Sequence, residues 1–193
     1  LRNAFRTRAK FANVGKFSGH EMTLEVDAFW SFRSPYSYLA TSRMLEFEKL
    51  WDLRFSIRPV YPIAIRIDGW FRDANPMWLP YLVRDVKREA ERLGMPFRWP
   101  RPDPVQMDHA TGNVPVEQPY IRRLTRLGVA AARHGRGLAF ISEVSSLLYG
   151  GTVVDWHQGT HLAEAAARAG LDLAALDREI SGDTEGLEAE RSE

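Results

Sequence analysis

A chain of 193 residues, 45% of them hydrophobic, is long enough to bury a core, and its length favours one domain or one domain carrying an insertion. It has no cysteine, which excludes disulfide scaffolds, thiolate metal sites and redox chemistry on the protein's own thiols. A net charge of +1 makes no electrostatic case for nucleic acid, and no apolar run approaches the roughly 18 residues of a membrane span, so a cytoplasmic protein is expected.

The charge is unevenly spread. Residues 1–21 carry Arg2, Arg6, Arg8, Lys10 and Lys16 against Glu21, whereas acids dominate from position 172 onward. The chain starts at Leu1, and Met22 directly precedes the first patterned strand. Residues 1–21 are therefore read as an N-terminal extension, disordered or not native, and set apart from the fold. From Thr23 to Trp30 the sequence alternates, with Leu24, Val26, Ala28 and Trp30 on one side, which predicts a strand. A short polar step follows, Ser34-Pro35-Tyr36-Ser37. Beyond it Tyr36, Ala40, Met44, Phe47 and Trp51 have helical spacing, and Pro35 suits the first helical position. Leu53 to Arg58 alternates again, and Pro59 and Pro62 punctuate its end. Strand, helix and strand joined this tightly predict a right-handed βαβ unit over 22–62.

The pattern then turns helical. Leu82, Val86, Ala90 and Leu93 share a face, with Gly94 placed as a C-terminal cap. The stretch 95–119 holds Pro96, Pro100, Pro102, Pro104, Pro115 and Pro119, so it is a long ordered loop or a linker. Tyr120, Leu124, Leu127 and Ala131 begin a further series of helices, followed by 138–149, 161–169 and 173–180. The organisation expected is a helical insertion over 63–170 and a return helix over 171–193.

In this order, "SPYSYLA", "RPVYP", "YLVRDVKREAERLGMPF" and "FISEVSSLLYGGTVVDW" resemble the 2-hydroxychromene-2-carboxylate isomerases and the related kappa-class glutathione transferases, from about Thr23 to about Glu190. The resemblance implies an α/β fold: a DsbA-like thioredoxin fold interrupted by an all-helical domain. Redox members of that superfamily carry a Cys-x-x-Cys pair in the turn where Ser34 and Ser37 stand here, so the resemblance implies glutathione as cofactor without thiol–disulfide exchange by the protein. It makes Ser34 the catalytic residue, and Ser34, Pro35, Tyr36 and Ser37 the glutathione-binding turn. The physics of the turn agrees, because a helix N-terminus offers unpaired N–H groups and partial positive charge that favour a bound thiolate. In the isomerases that thiolate is understood to add to a conjugated substrate, allow bond rotation and leave, a net cis/trans isomerisation. Arg33 and Arg58 are candidate partners for a substrate carboxylate, and Asn75 and Trp78 further candidates for the substrate side. The partner implied is a small aromatic molecule, with neither nucleic acid nor membrane, and a homodimer is the assembly the family suggests.

Two features depart from the family pattern. Where the isomerases tend to carry a lysine before the "Y-x-x-R-D" helix, this chain reads Asn75-Pro76-Met77-Trp78-Leu79-Pro80. After Glu190 nothing resembles the family's "G-V-P-T" cis-proline loop, so the sequence reads either as a fragment or as a sheet completed otherwise, with an unpaired edge. Ser34 also fits a plain helix cap worth about 1 kcal/mol. The rival reading is thus a non-catalytic thioredoxin-like module that binds glutathione, a peptide or another protein. His157 and His161 stand four apart but lack the glutamate of H-E-x-x-H, and no metal site is read from them. Trp70, Phe71 and Trp78 are read as a possible aromatic pocket above the turn, and Trp30 as core.

Overall fold

Two parallel strands and the helix between them organise the molecule, which is a computed structural model describing residues 23–108, 110–185, 187 and 188. The extension expected over 1–21 and the end of the return segment, 189–193, lie outside the described residues. Strand β1 (Leu24–Trp30) and strand β2 (Leu53–Pro59) pair in register from Leu24↔Leu53 to Trp30↔Pro59, and α1 (Pro35–Leu50) makes the crossover. The alternation read from the sequence is the alternation of burial. Val26, Ala28, Trp30, Ile57 and Pro59 turn toward the core, whereas Glu25, Asp27, Phe29, Arg54 and Arg58 are exposed. β2 includes Pro59, one residue beyond the expected end. At that position the missing N–H would point away from β1, so no ladder bond is lost.

The ladder has a definite polarity. Leu24 N–H donates to Asp52 O at 3.0 Å and Val60 N–H to Trp30 O at 2.7 Å, so even-numbered residues of β1 bond toward β2. The backbone groups of Glu25, Asp27 and Phe29 then face outward, and among the described residues the sheet has these two strands. On the far edge of β2, Phe55 N–H is taken by the Glu48 carboxylate at 2.7 Å.

Helices follow from residue 63 onward. α2 (Ile63–Arg66) and α3 (Trp70–Asp73) are single turns that the sequence did not announce, since four residues cannot display a helical period. α4 (Trp78–Leu93) ends at Gly94, whose φ of 66° is the left-handed cap expected there. The proline-rich segment is an ordered loop rather than a linker, and specific bonds hold it to the body. Tyr38 Oη donates to Pro96 O at 2.7 Å, Trp156 Nε1 to Pro102 O at 2.8 Å, and Arg98 N–H to Tyr149 O at 2.8 Å, while Val105 is fully buried. α5 (Pro119–Arg133), α6 (Gly137–Tyr149), α7 (His161–Arg168) and α8 (Leu173–Gly182) complete the described elements.

The centre of the core lies between α5 and α6. Ile121, Leu124, Leu127, Phe140, Ile141 and Val144 are almost wholly excluded from water there, and each contributes roughly 1.5–3 kcal/mol by its burial. α5 packs on β2 and α8, and α6 packs on α1 and α7. Gly128 sets how closely α5 approaches the sheet: a Cβ there would lie 3.0 Å from both the Phe32 ring and Pro59. The missing side chain lets the helix run against the turn that follows β1, and so fixes the floor under Ser34.

Candidate active site

The turn between β1 and α1 is held from below and closed by its own serine. Phe32 is buried, and its carbonyl accepts a hydrogen bond from Tyr149 Oη at 3.2 Å. Ser34 has extended backbone angles, φ −90° and ψ 113°, and its Oγ accepts from Ser37 N–H at 3.2 Å, an N-cap to α1. Pro35 has no N–H to satisfy. Tyr38 N–H reaches Ser34 O at 3.3 Å, which leaves Tyr36 N–H without an acceptor among the described residues. The cap uses a lone pair of the Ser34 hydroxyl, and its proton is free to be donated. Capping therefore leaves the donor side of the same hydroxyl unused.

Arg33, beside the cap, is not loose. Its Nε lies 3.0 Å from Asp103 Oδ1 and its Nη2 3.0 Å from Oδ2, a two-pronged ion pair. Asp103 also accepts from Val105 N–H at 2.9 Å. The Arg33 guanidinium carbon stands 4.9 Å from the centre of the Phe71 ring, and that ring lies 5.9 Å from Trp78, the first residue of α4. Arg33, Ser34, Tyr36, Ser37 and Trp78 thus gather at one end of α1. Asn75 lies just before α4, where its Oδ1 accepts from Met77 N–H at 2.9 Å. Arg58 is directed elsewhere: it pairs with Asp27 at 3.0 Å on the exposed face of the sheet, beside a groove also lined by Arg54, Arg133 and Arg136. His157 packs its ring against Tyr120 at 4.9 Å and Trp156 at 5.8 Å, while His161 opens α7.

Two carboxylates that the sequence reading passed over shape this end of α1. Asp103 lies 70 residues from the arginine it holds, in the irregular loop, and carries no local signal. Asp85 belongs to the "Y-x-x-R-D" stretch, four residues after Tyr81, and the helical spacing could have drawn attention to it. Its Oδ2 accepts from Tyr36 Oη at 2.6 Å and its Oδ1 from Tyr81 Oη at 3.4 Å. Burial, then the hydrogen bond to Asp85 and its charge, push the Tyr36 phenol up to about 12. The folded chain therefore holds that proton more tightly than the unfolded chain does. The resulting stabilisation is complete below the ordinary value of 10.0 and is lost as pH rises through about 12. Ultraviolet titration of phenolate absorbance is expected to show a late-ionising tyrosine that moves to lower pH in Asp85→Asn. An unchanged titration in that variant would remove Asp85 as the cause.

Comparison with known proteins bears on this arrangement in three ways. No curated protein matches the chain. Among solved structures, a selenomethionine-labelled 2-hydroxychromene-2-carboxylate isomerase superposes over 88% of this chain and 78% of its own, with a TM-score of 0.62 and 20% sequence identity, a likeness of fold. The family model of the DSBA-like thioredoxin domain matches residues 25–192, which takes in β1, the capped turn, α1, β2 and the helical region packed on them. With a DsbA-like thioredoxin fold carrying an inserted helical region, and a match spanning nearly every described residue, the chain belongs to the DSBA-like thioredoxin domain family.

Proposed function

We propose that the protein is a glutathione-dependent isomerase or transferase acting on an aromatic or conjugated small molecule in the cytoplasm, with Ser34 stabilising the glutathione thiolate. The observation that carries the reading is the double use of the Ser34 hydroxyl, whose lone pair caps α1 while its proton remains to be given to an anion. The turn fits such a group. Tyr36 N–H is an open donor in the first turn, and the 16-residue helix behind it places partial positive charge at the same point. Phe71, Trp78 and the half-exposed Tyr36 offer flat apolar surface beside it for an aromatic substrate. Ser34 and Ser37 in place of two thiols leave the turn unable to form a disulfide of its own. When bound, glutathione supplies a thiolate that adds to a conjugated double bond and departs. The chain's part is to lower that thiol's pKa, hold it, and align the substrate with it. The fold shared with a 2-hydroxychromene-2-carboxylate isomerase supports the same direction.

One observation favours the rival reading of a binding module without catalysis: Arg33 and Asn75 are already engaged inside the protein. Calorimetry with glutathione, paired with an absorbance assay of glutathione-dependent isomerisation, separates the two. Binding with turnover is expected. Binding without turnover would leave the module, and no heat at millimolar glutathione would remove both glutathione readings.

A further inference from the structure

Ser34 N–H donates to Ser31 O at 3.0 Å, which closes a four-residue turn whose central peptide joins Phe32 to Arg33. The common forms of such a turn differ by a flip of that peptide, and the flipped form needs a positive φ at the third residue. Here the third residue is Arg33, and it lies outside the left-handed region. The carbonyl of the central peptide, Phe32 O, meets Tyr149 Oη at 3.2 Å. Phe32 is 1% exposed, so this oxygen cannot reach water unless the chain moves, and Tyr149 is its one hydrogen-bond donor among the described residues. Beyond the same peptide Arg33 is tied to Asp103, and Ser34 comes next.

The Tyr149 hydroxyl is itself closely placed. Tyr149 is the last residue of α6, and its ring lies between Tyr38 at 5.4 Å and Phe97 at 5.9 Å, with the planes within 18° of parallel. Its carbonyl accepts from Arg98 N–H at 2.8 Å, and the neighbouring Tyr38 Oη donates to Pro96 O at 2.7 Å. α1, α6 and the proline-rich loop therefore all fix the point from which the hydroxyl reaches the turn. Burial, and then the charge of Asp103, push the Tyr149 phenol up from its ordinary value, so it keeps the proton it donates.

Resting on the function proposed above, we infer that Tyr149 is a positioning residue of the thiolate site: through the Phe32–Arg33 peptide its hydroxyl sets where the Ser34 hydroxyl stands, and so how well the turn holds the glutathione thiolate. The ring of Tyr149 packs the core, and its hydroxyl orients the turn. Neither part needs to touch glutathione or substrate.

The test is Tyr149→Phe, which keeps the ring in its stack and removes only the hydroxyl. The thiol of glutathione bound to the protein is titrated by its thiolate absorbance, with the S-methylglutathione complex as the blank. In the wild type the titration midpoint is expected below that of free glutathione. In Tyr149→Phe it is expected to rise by about one pH unit, roughly a tenfold smaller thiolate fraction below the midpoint, the scale of one weakened hydrogen bond to a charged group. Ile180→Val, a core change on α8 that also costs some stability, controls for general loosening and is expected to leave the midpoint in place. A midpoint unmoved by Tyr149→Phe, or moved as far by Ile180→Val, overturns the inference alone. Wild-type protein that binds no glutathione, or binds it without lowering the midpoint of its thiol, overturns the function proposed for the turn, and the inference with it.

Discussion

Ser34→Asp is expected to abolish glutathione-dependent turnover in a protein as stable as the wild type. Aspartate ranks with serine as an N-cap, and its carboxylate can accept from Ser37 N–H as the Ser34 oxygen does at 3.2 Å. At neutral pH, however, it has no proton to donate, and it places a negative charge where the proposed glutathione thiolate would sit. Ser34→Ala loses both properties, with stability falling by about 1 kcal/mol and turnover by roughly a hundredfold or more, the scale for removing a hydrogen-bond donor from a developing or bound anion. The pair of variants separates two roles that a single alanine substitution confounds. Thermal denaturation reads the cap, and kcat reads the donor. If Ser34→Asp retained turnover, the hydroxyl proton would have no part in the chemistry and Ser34 would be a cap alone.

Phe32→Ala is expected to cost about 3–5 kcal/mol, a large fraction of the 5–15 kcal/mol that holds a typical domain folded. Phe32 is 1% exposed, meets Phe140 edge to face at 6.2 Å, and rests against α5 at the position where Gly128 has no side chain. Deleting the ring opens a cavity between β1, α5 and α6 that the surrounding helices can fill only in part. The residue also precedes Ser34 by two positions, and Tyr149 Oη anchors its carbonyl. Looseness there reaches the cap, so glutathione affinity is expected to fall along with the urea midpoint. Phe32→Leu, which refills most of the volume, should recover much of both. A midpoint unchanged by the alanine variant would show that the ring is not part of the floor beneath the turn.

The parts of this molecule that were legible in the sequence are those governed by neighbours along the chain. The two-residue period of 24–30 and 53–58, the proline at the first position of α1, Gly94 after α4 and the serine before Pro35 all act within a few residues, and each did what its local chemistry dictates. Arg33 shows where that reach ends. Its place beside Ser34 suits a substrate's acid, and the structure gives it an acid of its own from Asp103, 70 positions away in a loop without periodicity. Nothing in the residues around either partner records the pairing. The Tyr36–Asp85 bond lies between these extremes, since Asp85 sits in a conspicuous helical stretch but its contact spans 49 residues. α2 and α3 were missed for a simpler reason: a single helical turn is shorter than the repeat that would reveal it.

The two borders of the sheet are not equivalent. Glu48 has already claimed the Phe55 amide on β2, so an arriving strand would have to displace a charged side chain there before it could pair. On β1 the amides and carbonyls of Glu25, Asp27 and Phe29 have no strand partner among the described residues, and their side chains project from the solvent face. The β1 border is therefore the more open of the two among the described residues. Whatever strand takes that place, from this polypeptide or from another, will lie beside two acids and an exposed phenylalanine, a surface that favours a basic and an aromatic residue in alternate positions over any acidic strand.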